Sequence, residues 1–117
     1  MSFIGKILIT AITAFAAHVG IIMALAGGSL PASTVFLQEL AIRWTIAAIF
    51  AHSVAWRFPV FLNGLIVGVL MAVNMAFIVY TVQGEFAFFQ RALLTNGTGA
   101  VGLAIGAGIA AAFLGRR

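Results

Sequence analysis

The chain has 117 residues, of which 64% are hydrophobic and 7% are charged, whereas soluble domains carry about 25% charged residues. This composition excludes an ordinary soluble domain, and the absence of cysteine excludes disulfides and thiolate metal sites. The net charge of +4 comes from few and scattered cations, so it favours membrane orientation over nucleic-acid binding.

Two long apolar segments occupy the first half of the chain. A helix of about 20 mostly apolar residues can span a bilayer, and 7–26 and 35–56 both qualify. The sequence GGSLPAST between them predicts a break, and the second segment ends before Arg57 and Pro59 because proline disfavours a continuing helix. Lys6 and the apolar stretch after it also resemble a signal peptide, although the stretch exceeds the usual length of about 7–15 residues.

The second half of the chain repeats this pattern. Residues 60–80 predict a third span, the sequence TVQGEFAFFQR at 81–91 predicts a connector, and 92–114 predict a fourth span. The sequence TNGTG at 95–99 predicts a small kink in the first turns of the fourth helix. We therefore expect an all-α fold, in which 1–117 form one polytopic membrane domain of four transmembrane helices in a compact bundle.

The charges near the ends of the predicted helices orient the bundle. A glutamate and an arginine on one side, Glu85 and Arg91, cancel each other. Excess Lys and Arg marks the cytoplasmic side. We therefore expect both termini to be cytoplasmic, and we expect an integral protein of the bacterial cytoplasmic (inner) membrane. The cations on the predicted cytoplasmic side are Lys6, Arg57, Arg116 and Arg117.

Two charged residues lie inside the second predicted span. Glu39 and Arg43 are four residues apart, so they share a helix face and are able to pair. Arg43 lies near the middle of the bilayer, where a charged side chain is costly and almost always faces the bundle interior. Three interpretations remain open: a structural pair that fixes helix packing, a site on an ion or substrate path, or an arginine that extends toward the outer surface.

Further polar residues are predicted at similar depths. At a rise of about 1.5 Å per residue, His18, Arg43 and Asn74 lie about 18 to 21 Å from the predicted cytoplasmic ends of their helices. Asn96 lies closer to the level of Glu39. These five side chains are the candidate substrate or ion path. The alternative is that they hydrogen-bond the helices together, at about 0.6 kcal/mol each, without any substrate.

The two histidines invite comparison with bis-histidine haem ligation, which requires both at one depth. His52 is predicted about 10 Å closer to the cytoplasmic end than His18, so we expect no haem and no other cofactor. His52 is expected at the membrane interface. His18 is either a satisfied interior group or a titrating switch. No catalytic motif or metal-ligand spacing accompanies them, so the sequence does not predict an enzyme or a metal site.

The fourth predicted span is rich in glycine and alanine. Gly102 and Gly106 form a G-x-x-x-G pattern, and Gly99 lies near the same face. Small residues allow helix backbones to approach closely. Packing within the monomer and packing against another subunit both remain open.

Known families of small four-helix membrane proteins offer two comparisons. Small multidrug exporters carry a membrane glutamate in their first helix, whereas Glu39 lies in the second, and the Gly-rich and Phe/Thr/Ser-rich motifs of fluoride channels are absent. We expect a homo-oligomeric transporter or channel-like protein, in which Arg43 attracts an anionic group. The alternative is a non-catalytic accessory or assembly subunit of a larger membrane complex. The expected partners are the lipid bilayer and other copies or other membrane subunits, without nucleic acid.

Overall fold

The chain folds into four α-helices. In the computed structural model, residues 2–28, 33–53 and 58–115 are described. Each helix is long and apolar enough to cross a bilayer, which indicates an integral membrane protein. The helices are α1 (Ser2–Leu25), α2 (Thr34–Ser53), α3 (Val60–Gln83) and α4 (Phe86–Leu114).

The helices alternate in direction and form a compact up-down-up-down bundle. Helices α1 and α3 each pack against both α2 and α4, and α2 contacts α4 across the centre of the bundle. Within the described residues, α1 and α3 do not contact each other. We call the end at which α1 and α3 terminate the upper end, and the end at which they begin the lower end.

The connection between α3 and α4 is much shorter than predicted. The expected connector at 81–91 is wrong, because α3 continues to Gln83 and α4 starts at Phe86. Gly84 closes α3 in the left-handed conformation with φ of 77°, and its N–H donates to the Tyr80 carbonyl at 2.7 Å. Aromatic packing accounts for the early start of α4, since the rings of Phe86 and Phe89 stack with their centroids 5.5 Å apart.

The TNGTG sequence lies within an uninterrupted stretch of α4. The hydroxyl of Thr95 and the amide Nδ2 of Asn96 both donate to the Ala92 carbonyl, at 3.2 and 2.9 Å. These side chains thus satisfy their donors inside their own helix. The start of α2 is capped in a similar local way, because the Ser33 hydroxyl accepts the backbone N–H of Phe36.

The predicted orientation of the termini stays a prediction. Three of the four cations on which it depends, Arg57, Arg116 and Arg117, lie outside the described residues, as do parts of the predicted break at 29–32 and the end of the second span at 54–56. The fourth, Lys6, does not precede the first helix. Because α1 begins at Ser2, Lys6 lies inside the helix and is buried.

The predicted glycine face of α4 packs against α1 of the same chain. A Cβ atom added to Gly102 would lie 2.7 Å from the Ala17 Cβ, and one added to Gly106 would lie 2.9 Å from the Thr10 Cα. No side chain fits at such distances without moving a backbone. Both glycines are therefore used for packing within the monomer.

A second small-residue face, which was not predicted, lies on α3. Gly64, Gly68, Ala72 and Ala76 recur at every fourth position and are all buried. A Cβ atom on Gly68 would lie 2.7 Å from the Ala100 Cα on α4. The two stripes hold α4 tightly between α1 and α3 and thereby set how each helix is rotated about its axis.

Candidate functional site

A cavity of about 270 Å³ lies between the helices toward the upper end of the bundle. All four helices contribute to it. Half of the lining residues are polar and half are apolar, so the cavity is neither a dry packing defect nor a purely aqueous channel. The polar residues are His18, Glu39, Arg43, Arg91, Thr95 and Asn96, and the apolar ones are Ile22, Phe36, Met75, Val79, Phe88 and Ala92.

Arg43 is held at the deep end of the cavity by α4. Its Nη1 donates to the Oδ1 of Asn96 at 3.2 Å. Asn96 is itself buried, and its Nδ2 is engaged by the Ala92 carbonyl, so its oxygen is directed toward the guanidinium. The Nε of Arg43 is buried and has no hydrogen-bond partner. The residue as a whole is half-buried, so a cation lines the cavity.

Glu39 lines the same cavity as Arg43, one helical turn away on α2. Their four-residue spacing allowed an ion pair between them, yet among the described residues the hydrogen-bond partner of Arg43 is Asn96 and no ion pair joins it to Glu39. Glu39 is exposed, one turn nearer the upper end, although its charge still acts favourably on the guanidinium. The guanidinium thus bonds to the buried amide on α4 and not to the carboxylate one turn away on its own helix.

His18 forms the floor of the cavity together with Trp44. The indole Nε1 of Trp44 donates to His18 Nδ1 at 3.1 Å, and the two rings meet edge to face with centroids 5.9 Å apart. Both side chains are buried. Trp44 also packs directly on the backbone of Gly99, where there is no space for a side chain. Of the two interpretations of His18, the structure supports the satisfied interior group.

Asn74 does not join the cavity. It is exposed on the outer surface of the bundle, and the neighbouring Met75 lines the cavity in its place. The small-residue stripe of α3 explains this result. Ala72 and Ala76 face α4, and Asn74 lies two residues from each, about 200° around the helix. The sequence predicted how deep Asn74 lies in the membrane, but not on which side of its helix it lies.

Arg91 and Thr95 line the cavity but were not among the predicted site residues. Arg91 ends the predicted connector at 81–91, because the sequence predicts the fourth span only from Ala92. Once α4 begins at Phe86, Arg91 and Thr95 are one turn apart on one helix face. Both also line a neighbouring cavity at the upper end of α1, together with Ile22. The four-residue spacing of Arg91 and Thr95 was the feature of the sequence that could have placed both on one helix face.

The site contains two guanidinium groups, those of Arg43 and Arg91, and one carboxylate, that of Glu39. Its formal charge is therefore one unit positive. Within the part of the chain that the structure describes, no group of three or more His, Cys, Asp or Glu side chains is arranged to hold a metal ion. Comparison of the chain with protein-family models, curated proteins and solved structures finds no match. The site is therefore interpreted from its own chemistry.

Proposed function

We propose that this protein is a transporter or channel-like protein of the bacterial cytoplasmic membrane, assembled from copies of itself, that binds a small organic anion in the upper cavity. The observation that carries the proposal is the half-buried guanidinium of Arg43, which lines a cavity with both polar and apolar sides. The anion is the substrate, and the upper end is where it first binds.

The charge of the cavity favours an anion. Arginine stays protonated at any accessible pH, and its planar group of donors suits a carboxylate or another oxyanion. Arg43 uses one N–H on Asn96 and keeps donors for a ligand. Because Arg43 is half-buried, its attraction for an anion is stronger than in bulk water. In this proposal Glu39 and Arg91, both exposed, steer the ligand at the mouth.

The apolar walls favour an anion with an apolar body. Phe36, Met75, Val79 and Phe88 face the same cavity as the guanidinium. A cavity of about 150 Å³ lined by apolar side chains is large enough for benzene. The cavity here, at about 270 Å³, leaves space for a ring-sized group together with its charged substituent.

The test is flux of a permanently ionised aromatic anion into proteoliposomes. Benzenesulfonate is the probe, and methanesulfonate is the control because it has the same charged group without the ring. Wild type should move benzenesulfonate faster than methanesulfonate and faster than empty vesicles do. Arg43→Gln should lower the benzenesulfonate flux about 10- to 100-fold, as expected from the loss of a charge-assisted hydrogen bond worth about 1.5–3 kcal/mol.

Gln38→Ala is the matched control variant. Gln38 is exposed on the same helix and is absent from the cavity lining, so its loss should leave the flux unchanged. The proposal fails if wild type moves neither anion above empty vesicles, or if Arg43→Gln moves benzenesulfonate at the wild-type rate. The cavity would then be structural, and an accessory subunit of a larger complex, identifiable by co-purifying subunits, would be the better account.

A further inference from the structure

One polar side chain lies on the outer surface of the bundle at mid-membrane depth. Asn74 is in the central third of α3 (Val60–Gln83) and is exposed. At a rise of about 1.5 Å per residue it lies about 21 Å from the lower end of the helix and about 14 Å from the upper end. Because the hydrocarbon core of a bilayer is about 30 Å thick, this short side chain reaches neither membrane surface.

The threonines on the outer surface of the bundle differ from Asn74 in their hydrogen bonding. The hydroxyls of Thr45, Thr81 and Thr98 each donate to the carbonyl four residues earlier in the same helix, at 2.7 to 2.8 Å, and so have no donor left. Within the described residues, the Asn74 amide makes no hydrogen bond. Even a bond to its own backbone, like that of Asn96, would leave one N–H and the oxygen without partners.

Lipid cannot satisfy this amide. Hydrocarbon has neither donors nor acceptors, so an amide that lies in it without a hydrogen bond is costly. Asparagine side chains of membrane helices hydrogen-bond across to other helices instead. In the described part of the chain no helix covers Asn74, so its partner group comes from outside the chain.

A second copy of the chain has the matching group at the matching depth. A twofold axis along the membrane normal relates copies inserted in the same orientation, and it keeps each residue at its own depth. Asn74 of one copy then faces Asn74 of the other. Each amide is able to donate through Nδ2 to the Oδ1 of its partner, so the pair is self-complementary.

The residues around Asn74 suit a contact between two helices. Leu70, Phe77 and Thr81 are exposed on the same side of α3, and the four residues follow one another at intervals of four, three and four. This alternation is typical of two helices that cross at about 20°, a common geometry in membrane bundles. A single asparagine among apolar residues in such a contact fixes the register and the number of helices.

We propose that α3 of one copy packs against α3 of a second copy in a parallel twofold dimer, in which the two Asn74 amides hydrogen-bond to each other inside the bilayer. This dimer gives an interface to the self-assembly in the proposed function, and it rests on that part of the proposed function alone. Neither anion binding nor Arg43 enters the argument.

The experiment measures association in proteoliposomes, by energy transfer between donor- and acceptor-labelled copies as lipid dilutes the protein. Wild type should associate. Asn74→Leu should raise the dissociation constant about 5- to 30-fold, as expected when an interhelical hydrogen bond is lost. Asn74→Gln keeps an amide and should retain most of the association. Thr45→Val is the matched control and should change nothing, because the Thr45 hydroxyl bonds within its own helix.

Disulfide cross-linking locates the contact, because the chain has no cysteine of its own. Cysteines form a disulfide where their Cα atoms lie about 4.4–6.8 Å apart. Leu70→Cys should therefore give a covalent dimer in oxidised membranes. Ile12→Cys is the control, since Ile12 on α1 is 62% exposed and Leu70 is 65% exposed, and this variant should stay monomeric.

The dimer is contradicted if Asn74→Leu associates like wild type, or if Ile12→Cys cross-links and Leu70→Cys does not. It is also contradicted if Asn74→Leu loses a co-purifying foreign subunit while self-association is unchanged. A wild type that stays monomeric at every dilution overturns this interface together with the proposed self-assembly. Absence of benzenesulfonate flux from a protein that still associates overturns anion transport alone.

Discussion

A single methyl group added at Gly99 should loosen the floor of the upper cavity. Gly99 lies on α4 directly against the indole of Trp44 on α2. A Cβ atom there would overlap the Trp44 Cζ2 and would lie 2.8 Å from Cε2 and 2.9 Å from Cη2. Trp44 has no exposed surface and is tethered to His18 by a hydrogen bond, so the ring has no free direction in which to move.

The expected magnitude follows from three terms. Inserting a methyl into a packed interior costs about 1–3 kcal/mol. Displacing the indole also weakens its hydrogen bond to His18, worth about 0.5–1.5 kcal/mol. Alanine favours a helix over glycine by about 1 kcal/mol, which offsets part of the loss. Gly99→Ala should therefore lower the free energy of unfolding by about 1–3 kcal/mol.

Reversible unfolding in mixed micelles, followed by tryptophan fluorescence, measures this change. Gly97→Ala is the control, because a Cβ atom on Gly97 meets nothing within 4 Å and the same substitution should be neutral or mildly stabilising. The double variant Gly99→Ala/Trp44→Phe should be more stable than the sum of the single effects predicts, since a smaller ring relieves the overlap. Equal stability of Gly99→Ala and Gly97→Ala would refute the packing described here.

Two further predictions concern helix packing and topology. Gly106→Leu should destabilise the monomer by several kcal/mol in thermal unfolding, because the leucine side chain would meet the α1 backbone. Ile105→Leu is the control and should be tolerated, because Ile105 is exposed. Similar melting temperatures for the two variants would contradict the α1–α4 contact. Cysteines placed at Ser2 and Ser29 should be labelled from outside intact cells only at Ser29, if the termini are cytoplasmic. Labelling at Ser2 alone would invert the topology.

The existence and order of the four helices were predictable from the sequence. Each helix is an apolar stretch long enough for a bilayer, and Gly/Pro-rich breaks separate the first pair. The boundaries were less predictable. The predicted connector between α3 and α4 contains polar and aromatic residues that suit either a loop or a helix. In the structure most of it is helical, because Gly84 ends α3 in a tight turn and aromatic rings stack in the first turn of α4.

The candidate site was predictable in depth but not in direction. Counting residues placed His18 and Arg43 at one depth and Asn96 nearer the level of Glu39, and all four line the upper cavity. The same counting put Asn74 with them, although it faces outward. The partner of Arg43 could not be chosen from the sequence either, because a glutamate four residues away and an asparagine on another helix are both chemically suitable.

The burial of Lys6 and His52 was decided by tertiary structure alone. Both were assigned to helix ends, where cations and histidines are usually exposed, and both are inside the bundle. The sequence of a membrane protein determines length, depth and composition because these depend on hydropathy alone. It does not determine the rotation of a helix that is apolar on every side, since lipid and protein interior are equally apolar and leave no polar face to read. That rotation was set by glycine and alanine stripes, which bring backbones together and turn each polar side chain toward the bundle or away from it.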